Sequence, residues 1–255
     1  MIARRSGEVA IGILPIALVL ALWHGIAASG IAPPVLLPPP GAVFARLLEQ
    51  AGNRQFLEHV GVTLFRLFAG FSIAVIVGIV VGLAATGSRA VESLVRPLVR
   101  VLAPLPKVAL YPAMILILGF DDASKIALVA ADAVFPILLA TWQGTAAVEP
   151  KLVWSARAAG CSQQRALFTV VLMAALPSVL TGCRIGLIIS CIVVFLAEMI
   201  TSTDGLGYLM VRAGRNFQTV DMFVPLISIS ILGLTLNAGF NALRAWLLRG
   251  FAEEG

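Results

Sequence analysis

Long apolar runs alternate along this chain with short segments where charge, proline and glycine collect. Six windows reach the length of about 20 residues that crosses the roughly 30 Å hydrocarbon core of a bilayer. They lie near 9–28, 64–85, 98–119, 126–142, 176–199 and 223–247. Pro104, Pro106, Lys107 and Pro112 interrupt the third window and Asp132 sits inside the fourth, so five spans is the alternative count. A stretch such as "IAVIVGIVVGLAA" is continuously apolar, whereas barrel strands alternate apolar and polar positions. The pattern predicts an all-α integral membrane protein in which residues 1–255 form one transmembrane domain, with the lipid bilayer as its solvent.

Composition agrees: 60% of the 255 residues are hydrophobic and 12% are charged, against about 25% charged in soluble domains. Lys and Arg at the ends of membrane spans account for the net charge of +5 and the pI near 9.6, so nucleic acid is not an expected partner. Arg4, Arg5, Arg89, Arg96, Arg100, Lys151, Arg157, Arg165 and Arg249 fall in segments that are all cytoplasmic if the N-terminus is inside. The opposite segments carry Arg46, Arg54, Arg212 and Arg215, diluted by Glu49, Glu58, Asp204 and Asp221. Both termini are therefore expected in the cytoplasm. The apolar run after "MIARR" is longer than the 7 to 15 residues of a signal peptide, so it is read as a true first helix.

Candidate chemistry is sparse. Cys161, Cys183 and Cys191 form no C-x-x-C, and the only histidines are His24 and His59, so neither a metal site nor a disulfide framework is expected. The sequence contains no G-x-x-x-x-G-K-[ST], no H-E-x-x-H and no G-x-S-x-G. The chain is expected to be no enzyme and to hold no cofactor. If transport uses ATP, another chain must hydrolyse it.

The segment "WSARAAGCSQQRALF", Trp154 to Phe168, lies between the fourth and fifth windows. Glu149 and Pro150 suit a helix start, Leu152, Ala156 and Ala159 form a narrow stripe of mostly small side chains, and Gly160 stops the helix. Ser162 suits the N-cap of a second helix with Leu167, Val170, Val171 and Ala174 on its apolar face, and Pro177 marks entry into the fifth span. A short helix of this kind suits docking into a groove of a partner protein; an amphipathic connector on the membrane surface is the alternative.

Trp154 to Pro177, with Ala156, Gly160 and Leu176-Pro177 in register, resembles the EAA loop of permease subunits of binding-protein-dependent ABC importers. "PLPKVALYPAMILILGF", "FPILLATWQG", "FLAEMI" and "DGLGYLM" are similar to the nitrate, sulfonate and taurine branch of that family, over most of the chain from about His59. The resemblance implies that Leu152, Trp154, Ser155, Ala156, Arg157, Ala159 and Gly160 belong to a coupling helix seated in a cytoplasmic ATPase. Trp154 stands where the family pattern has Glu, and Met173 where it has Pro. An aromatic there suits an anchor in the ATPase cleft, and docking that differs in detail is the alternative.

Asp132 and Glu198 are carboxylates within or at the end of spans, where a central charge costs about 2.5 to 3.5 kcal/mol on insertion scales. A water-lined pathway and hydrogen-bonded helix packing are the two readings, with packing favoured for Glu198 and Arg184 a conceivable partner for either. Gly78/Gly82 and Gly182/Gly186 let helix backbones approach, within one subunit or at a dimer seam. "TSTDGLGYLMVRAGRNF" turns at Gly205 and Gly207 into a helical pattern through Tyr208, Val211 and Phe217. By resemblance it is a short periplasmic element near a docking binding protein; an interfacial anchor with Tyr208 at headgroup depth is the alternative. Pro33 to Gly41 reads as a stiff extended segment.

Together these readings predict the transmembrane subunit of an ABC importer in the bacterial inner membrane. It would pair with a second copy of itself, two ATPase subunits holding ATP and Mg, and a periplasmic binding protein that delivers a small solute, often anionic, of sulfonate, taurine or nitrate type. A secondary transporter or channel without an ATPase is the alternative, which would need ion-coupling groups at mid-membrane.

Overall fold

The computed structural model describes residues 2–31, 33 and 35–251, with side chains described from residue 14 onward. Its helices are α1 (Ile2–Ala28), α2 (Pro40–Ala51), α3 (Arg54–Gly87), α4 (Arg89–Leu102), α5 (Tyr111–Leu118) and α6 (Asp122–Ala146). They continue as α7 (Pro150–Ala158), α8 (Gln163–Ala166), α9 (Leu172–Ala174), α10 (Leu176–Thr201), α11 (Leu206–Arg215) and α12 (Thr219–Leu247). A 3-10 turn, Lys107–Leu110, precedes α5, and a π turn, Leu167–Val171, joins α8 to α9. Among the described residues there are no strands.

The centre of the fold is a three-helix seam. In lipid there is no hydrophobic force between helices, so they associate by close packing, which small residues permit. Gly70, Gly78 and Gly82 of α3 lie so near α6 that an added Cβ would sit 2.7 Å from Val129, 2.8 Å from Ile137 and 2.8 Å from Thr141. Gly182 and Gly186 of α10 meet the same helix, with an added Cβ 2.6 Å from Ala140 and 2.9 Å from Ile137. Fully buried Ile137 is thus clasped between Gly78 of α3 and Gly182 and Gly186 of α10. Both small-residue pairs pack within the subunit. Gly78→Leu is expected to lower stability by about 1 to 3 kcal/mol or more through overpacking, read as a melting shift in detergent. Gly239→Ala on α12, with nothing within 4 Å, is the control and is expected to cost nothing.

The pairings also fix direction. Along α3 and α6 the contacts rise together, from Gly70 with Val129 to Gly82 with Thr141, so the two helices are parallel. The chain between them must therefore recross the bundle. It does so through α4 and α5, which are bent by 89° to one another, so the third expected span is a broken one. Pro106 and the 3-10 turn stop α4 from continuing, and Lys107 holds the elbow by donating to the carbonyls of Ala103 and Leu105 at 3.2 and 3.3 Å. Four single helices, α3, α6, α10 and α12, are long and apolar enough to cross a membrane, and the bent pair makes five. The first expected span lies in α1, whose apolar character is described over Leu14–Ala28; its beginning, 9–13, lies outside the described side chains.

Two ends result. One carries α7. The other carries α2 and α11, clustered through Val43, Phe56, Leu206, Leu209 and Val224. Arg46 of α2 donates to Asp221 of α12 at 2.7 Å, and Trp23 of α1 stacks on Phe223 at 5.3 Å. The segment expected to be extended before α2 instead turns, with the Leu36 amide donating to Pro33 O at 2.8 Å, and Pro40 opens α2, where a missing N–H costs nothing.

Candidate functional site

At one end, α7 stands clear of the bundle. Pro150 starts it, and none of its residues is buried. It stops where expected: Gly160 has φ +86°, its amide donates to Arg157 O at 3.0 Å, and the Cys161 amide donates to Ala156 O at 3.0 Å. Leu152, Trp154, Ser155, Arg157, Ala159 and Gly160 are exposed, Trp154 by 66%, and Ala156 is half-buried. A nine-residue helix with no buried face gains too little from its own chain to be stable in water. Behind it lies a cavity of about 310 Å³, where Trp154 and Arg157 face Thr86, Thr145, Leu167 and Val171. Ser162 accepts from the Arg165 amide at 3.3 Å, as an N-cap does. The expected stripe beyond it is altered by the π turn, whose extra residue rotates the helix face. Ala166, Val171 and Ala175 are buried, whereas Ala174 is exposed.

At the other end the structure assembles an ionic cluster. Buried Arg66 of α3 donates to Glu198 of α10 at 2.9 Å, to Asp122 at the start of α6 at 2.7 Å, and to Asp204 in the turn after α10. Glu198 is fully buried. Its carboxylate also accepts from Thr63 Oγ1 at 3.0 Å and from the Gly207 amide at 3.0 Å, so it caps the N-terminus of α11, where a negative charge is favoured. The Leu206 amide donates to Thr63 Oγ1 at 2.9 Å, and the Gly205 amide to His59 Nδ1 at 3.0 Å. Gly205 has φ +94°, and a side chain at Gly205 or Gly207 would collide with Glu198. Burial pushes the Asp204 carboxyl up, but the Arg66 guanidinium, by hydrogen bond and charge, outweighs it and holds the group below the usual carboxylate range.

The remaining residues sort by partner. Asp132 lies 3.3 Å from Lys107 Nζ, which also sits 4.5 Å over the Phe135 ring, so this carboxylate braces the elbow of the broken span. Arg184 is the partner of neither carboxylate; its Nε donates to Asn237 Oδ1 at 2.9 Å. Tyr208 is half-buried, 6.0 Å from His59 and beneath Arg212 at 5.5 Å. The buried face of α11 is Leu206, Leu209 and Ala213, and Phe217 leaves the helix at φ 55°. Arg66 and Thr63 take part here although the sequence does not single them out, and His59 and Lys107, noted in the sequence, are given no site role by it. An arginine inside an apolar window is the available signal.

The comparisons with known proteins agree with this architecture. The model of a family described as "binding-protein-dependent transport system inner membrane component" matches residues 74–253. The chain is 31% identical over 244 residues to the taurine transport system permease protein TauC of Escherichia coli (strain K12), covering 94% of this chain and 89% of that one. It is 30% identical over 238 residues to a putative aliphatic sulfonates transport permease protein SsuC of Bacillus subtilis (strain 168), covering 93% and 86%. Among solved structures, the MetNI methionine ABC transporter in an inward-facing form matches with a TM-score of 0.66 at 19% identity, covering 75% of this chain and 95% of that one. The extent of the family match and the relatives aligned over nearly the whole chain establish that this protein belongs to the inner membrane permease family of binding-protein-dependent ABC transport systems.

Proposed function

We propose that this permease carries a small sulfonate-type anion inward, with two copies forming the path, two ATPase subunits seated on the α7 loops, and a binding protein at the α11 end. ATP and Mg belong to the ATPase, and this chain performs no hydrolysis. The observation that carries the reading is α7, a short helix with no buried residue and an exposed Trp154, which needs a partner surface to be held in place. The basic bias at Arg89, Arg96, Arg100, Lys151, Arg157 and Arg165 supports a cytoplasmic α7 end, with both termini on that side. The substrate class is drawn from the taurine and aliphatic sulfonate relatives. Pairing of Asp132 with Lys107 removes the ion-coupling group that a transporter without an ATPase would need.

In a working cycle, closure of the ATPase pair would push α7 and, through the π turn, swing α10 against α6, while the Arg66 cluster keeps the far ends of α3, α6 and α10 together. The test is to purify the tagged chain from its native membrane in mild detergent and identify its companions by mass spectrometry. An ATPase subunit is expected, and it should vanish when residues 150–160 are replaced. Recovery of the chain alone, in a sample that still transports, would overturn the reading.

A further inference from the structure

Most charged groups inside the spans have charged or carbonyl partners. Asp132 has Lys107, Glu198 has Arg66, and Lys125 donates to the carbonyls of Phe120 and Asp121 at 2.6 and 3.2 Å. Two arginines break this rule. Among the described residues, Arg184 of α10 has only the neutral amide of Asn237 at 2.9 Å, and Arg244 of α12 keeps an enclosed Nε with no partner. Neither has a carboxylate within ion-pair distance among the described residues. A guanidinium in a membrane is normally neutralised by a neighbour, and one left open offers its fork of donors to an anion.

The two arginines are connected. Asn237, Asn241 and Arg244 recur at spacings of four and three, which puts them on one face of α12. Arg184 meets the top of this line about 12 Å along α10 from Leu176, and Asn237 lies about 15 Å from the end of α12, near mid-membrane. Asn237 closes one end of an apolar groove of about 540 Å³ between α10 and α12, lined by Ile188, Ile192, Leu196 and Leu234. Asn241 and Arg244 line a second cavity of about 1190 Å³ at the α7 end, with Ser178, Arg249 and, among the described residues, one carboxylate, Glu149. Asn237, which accepts from Arg184, thus stands one helical turn from Asn241, between an apolar groove and a larger basic cavity.

We infer that Arg184, Asn237, Asn241 and Arg244 form an anion-selecting track in the inner half of the translocation path, which takes the sulfonate or another oxyanion group of the solute as it leaves. Guanidinium matches the oxygens of such a group in pairs, and the two amides donate without adding charge. The inference rests on the importer reading for its solute and deepens it. A lipid phosphate shares this chemistry, so the experiment separates the two sources.

The test uses the full chain in phosphatidylcholine nanodiscs, with Cys161→Ser, Cys183→Ala and Cys191→Ala as background and Asn241→Cys as reporter. Its labelling rates with sulfonatoethyl and trimethylammonioethyl methanethiosulfonate, each divided by the rate with a free thiol, give a charge preference. The anionic reagent is expected to be favoured. Arg244→Gln should cut the ratio by about tenfold and Arg184→Gln by roughly threefold, since a removed charge acts oppositely on the two probes. Arg184→Lys should restore it, which a purely structural arginine would not do. Added phosphatidylglycerol should leave the ratio unchanged. A cysteine deaf to both reagents, a ratio indifferent to the arginines, or a preference abolished by anionic lipid would each overturn the track. Failure here with the ATPase still co-purifying leaves the importer reading intact; loss of the ATPase with the ratio as expected strikes only that reading.

Discussion

Arg66→Leu is expected to destabilise the folded subunit by about 3 to 5 kcal/mol, enough to remove most of it from a mild-detergent extract. The argument is one of unpaired charge. Arg66 is buried, and its three carboxylate partners come from α6, α10 and the turn before α11, so a single side chain ties four parts of the fold. Leucine fills the space yet leaves Glu198, fully buried, without its cation. Glu198→Gln should cost less, because Arg66 keeps Asp122 and Asp204 and the amide can still accept from Gly207. The double variant Arg66→Leu with Glu198→Gln should be milder than the sum of the two single losses, because no fully buried charge is stranded, Asp122 and Asp204 being half exposed. Melting temperature by intrinsic fluorescence in detergent reads all three. A melting temperature for Arg66→Leu equal to that of the parent would refute the cluster as the clamp of this end. Acid provides a second check. Asp204 titrates below its unfolded value, so its contribution is complete above about pH 4 and is lost as the pH falls through the lowered folded value.

This cluster also shows where the sequence can be read and where it cannot. The spans are legible because a run of about twenty apolar residues suits a bilayer and little else. The α7 loop is legible because Pro150, Gly160 and Ser162 act locally, through a missing N–H, a positive φ and a hydroxyl acceptor. Partnership across the bundle is a different kind of information. Arg66 and Glu198 lie 132 positions apart, and nothing within either window states which helix faces which. The same gap is why the sequence offers Arg184 to carboxylates it never meets. The break at Lys107 is marked by its prolines, but the 89° bend follows from the parallel docking of α3 on α6, a tertiary fact. The π turn at Leu167 leaves no local sign, so the helix face expected from periodicity is one residue off.

Trp154→Ala is expected to weaken ATPase association by about thirtyfold and to reduce uptake to near background while the melting temperature stays unchanged. An exposed tryptophan at the centre of a docking surface contributes on the order of 2 kcal/mol or more when it is covered, and a residue 66% exposed on a helix with no buried face contributes little to its own subunit. Gly160 separates contact from geometry at the same loop. Its φ of +86° suits glycine, tolerates asparagine and strains a β-branched side chain by about 1 to 3 kcal/mol, while the space around it is open. Uptake should therefore fall in the order glycine, Gly160→Asn, Gly160→Val. A clash would instead penalise size, and Gly160→Gln would then be worse than Gly160→Val. If Trp154→Ala binds the ATPase as the parent does, α7 is not the seat of coupling, whatever the Gly160 series shows. If association is lost with Trp154→Ala but kept with Gly160→Val while uptake fails in both, then the tryptophan holds the ATPase and the turn transmits its stroke.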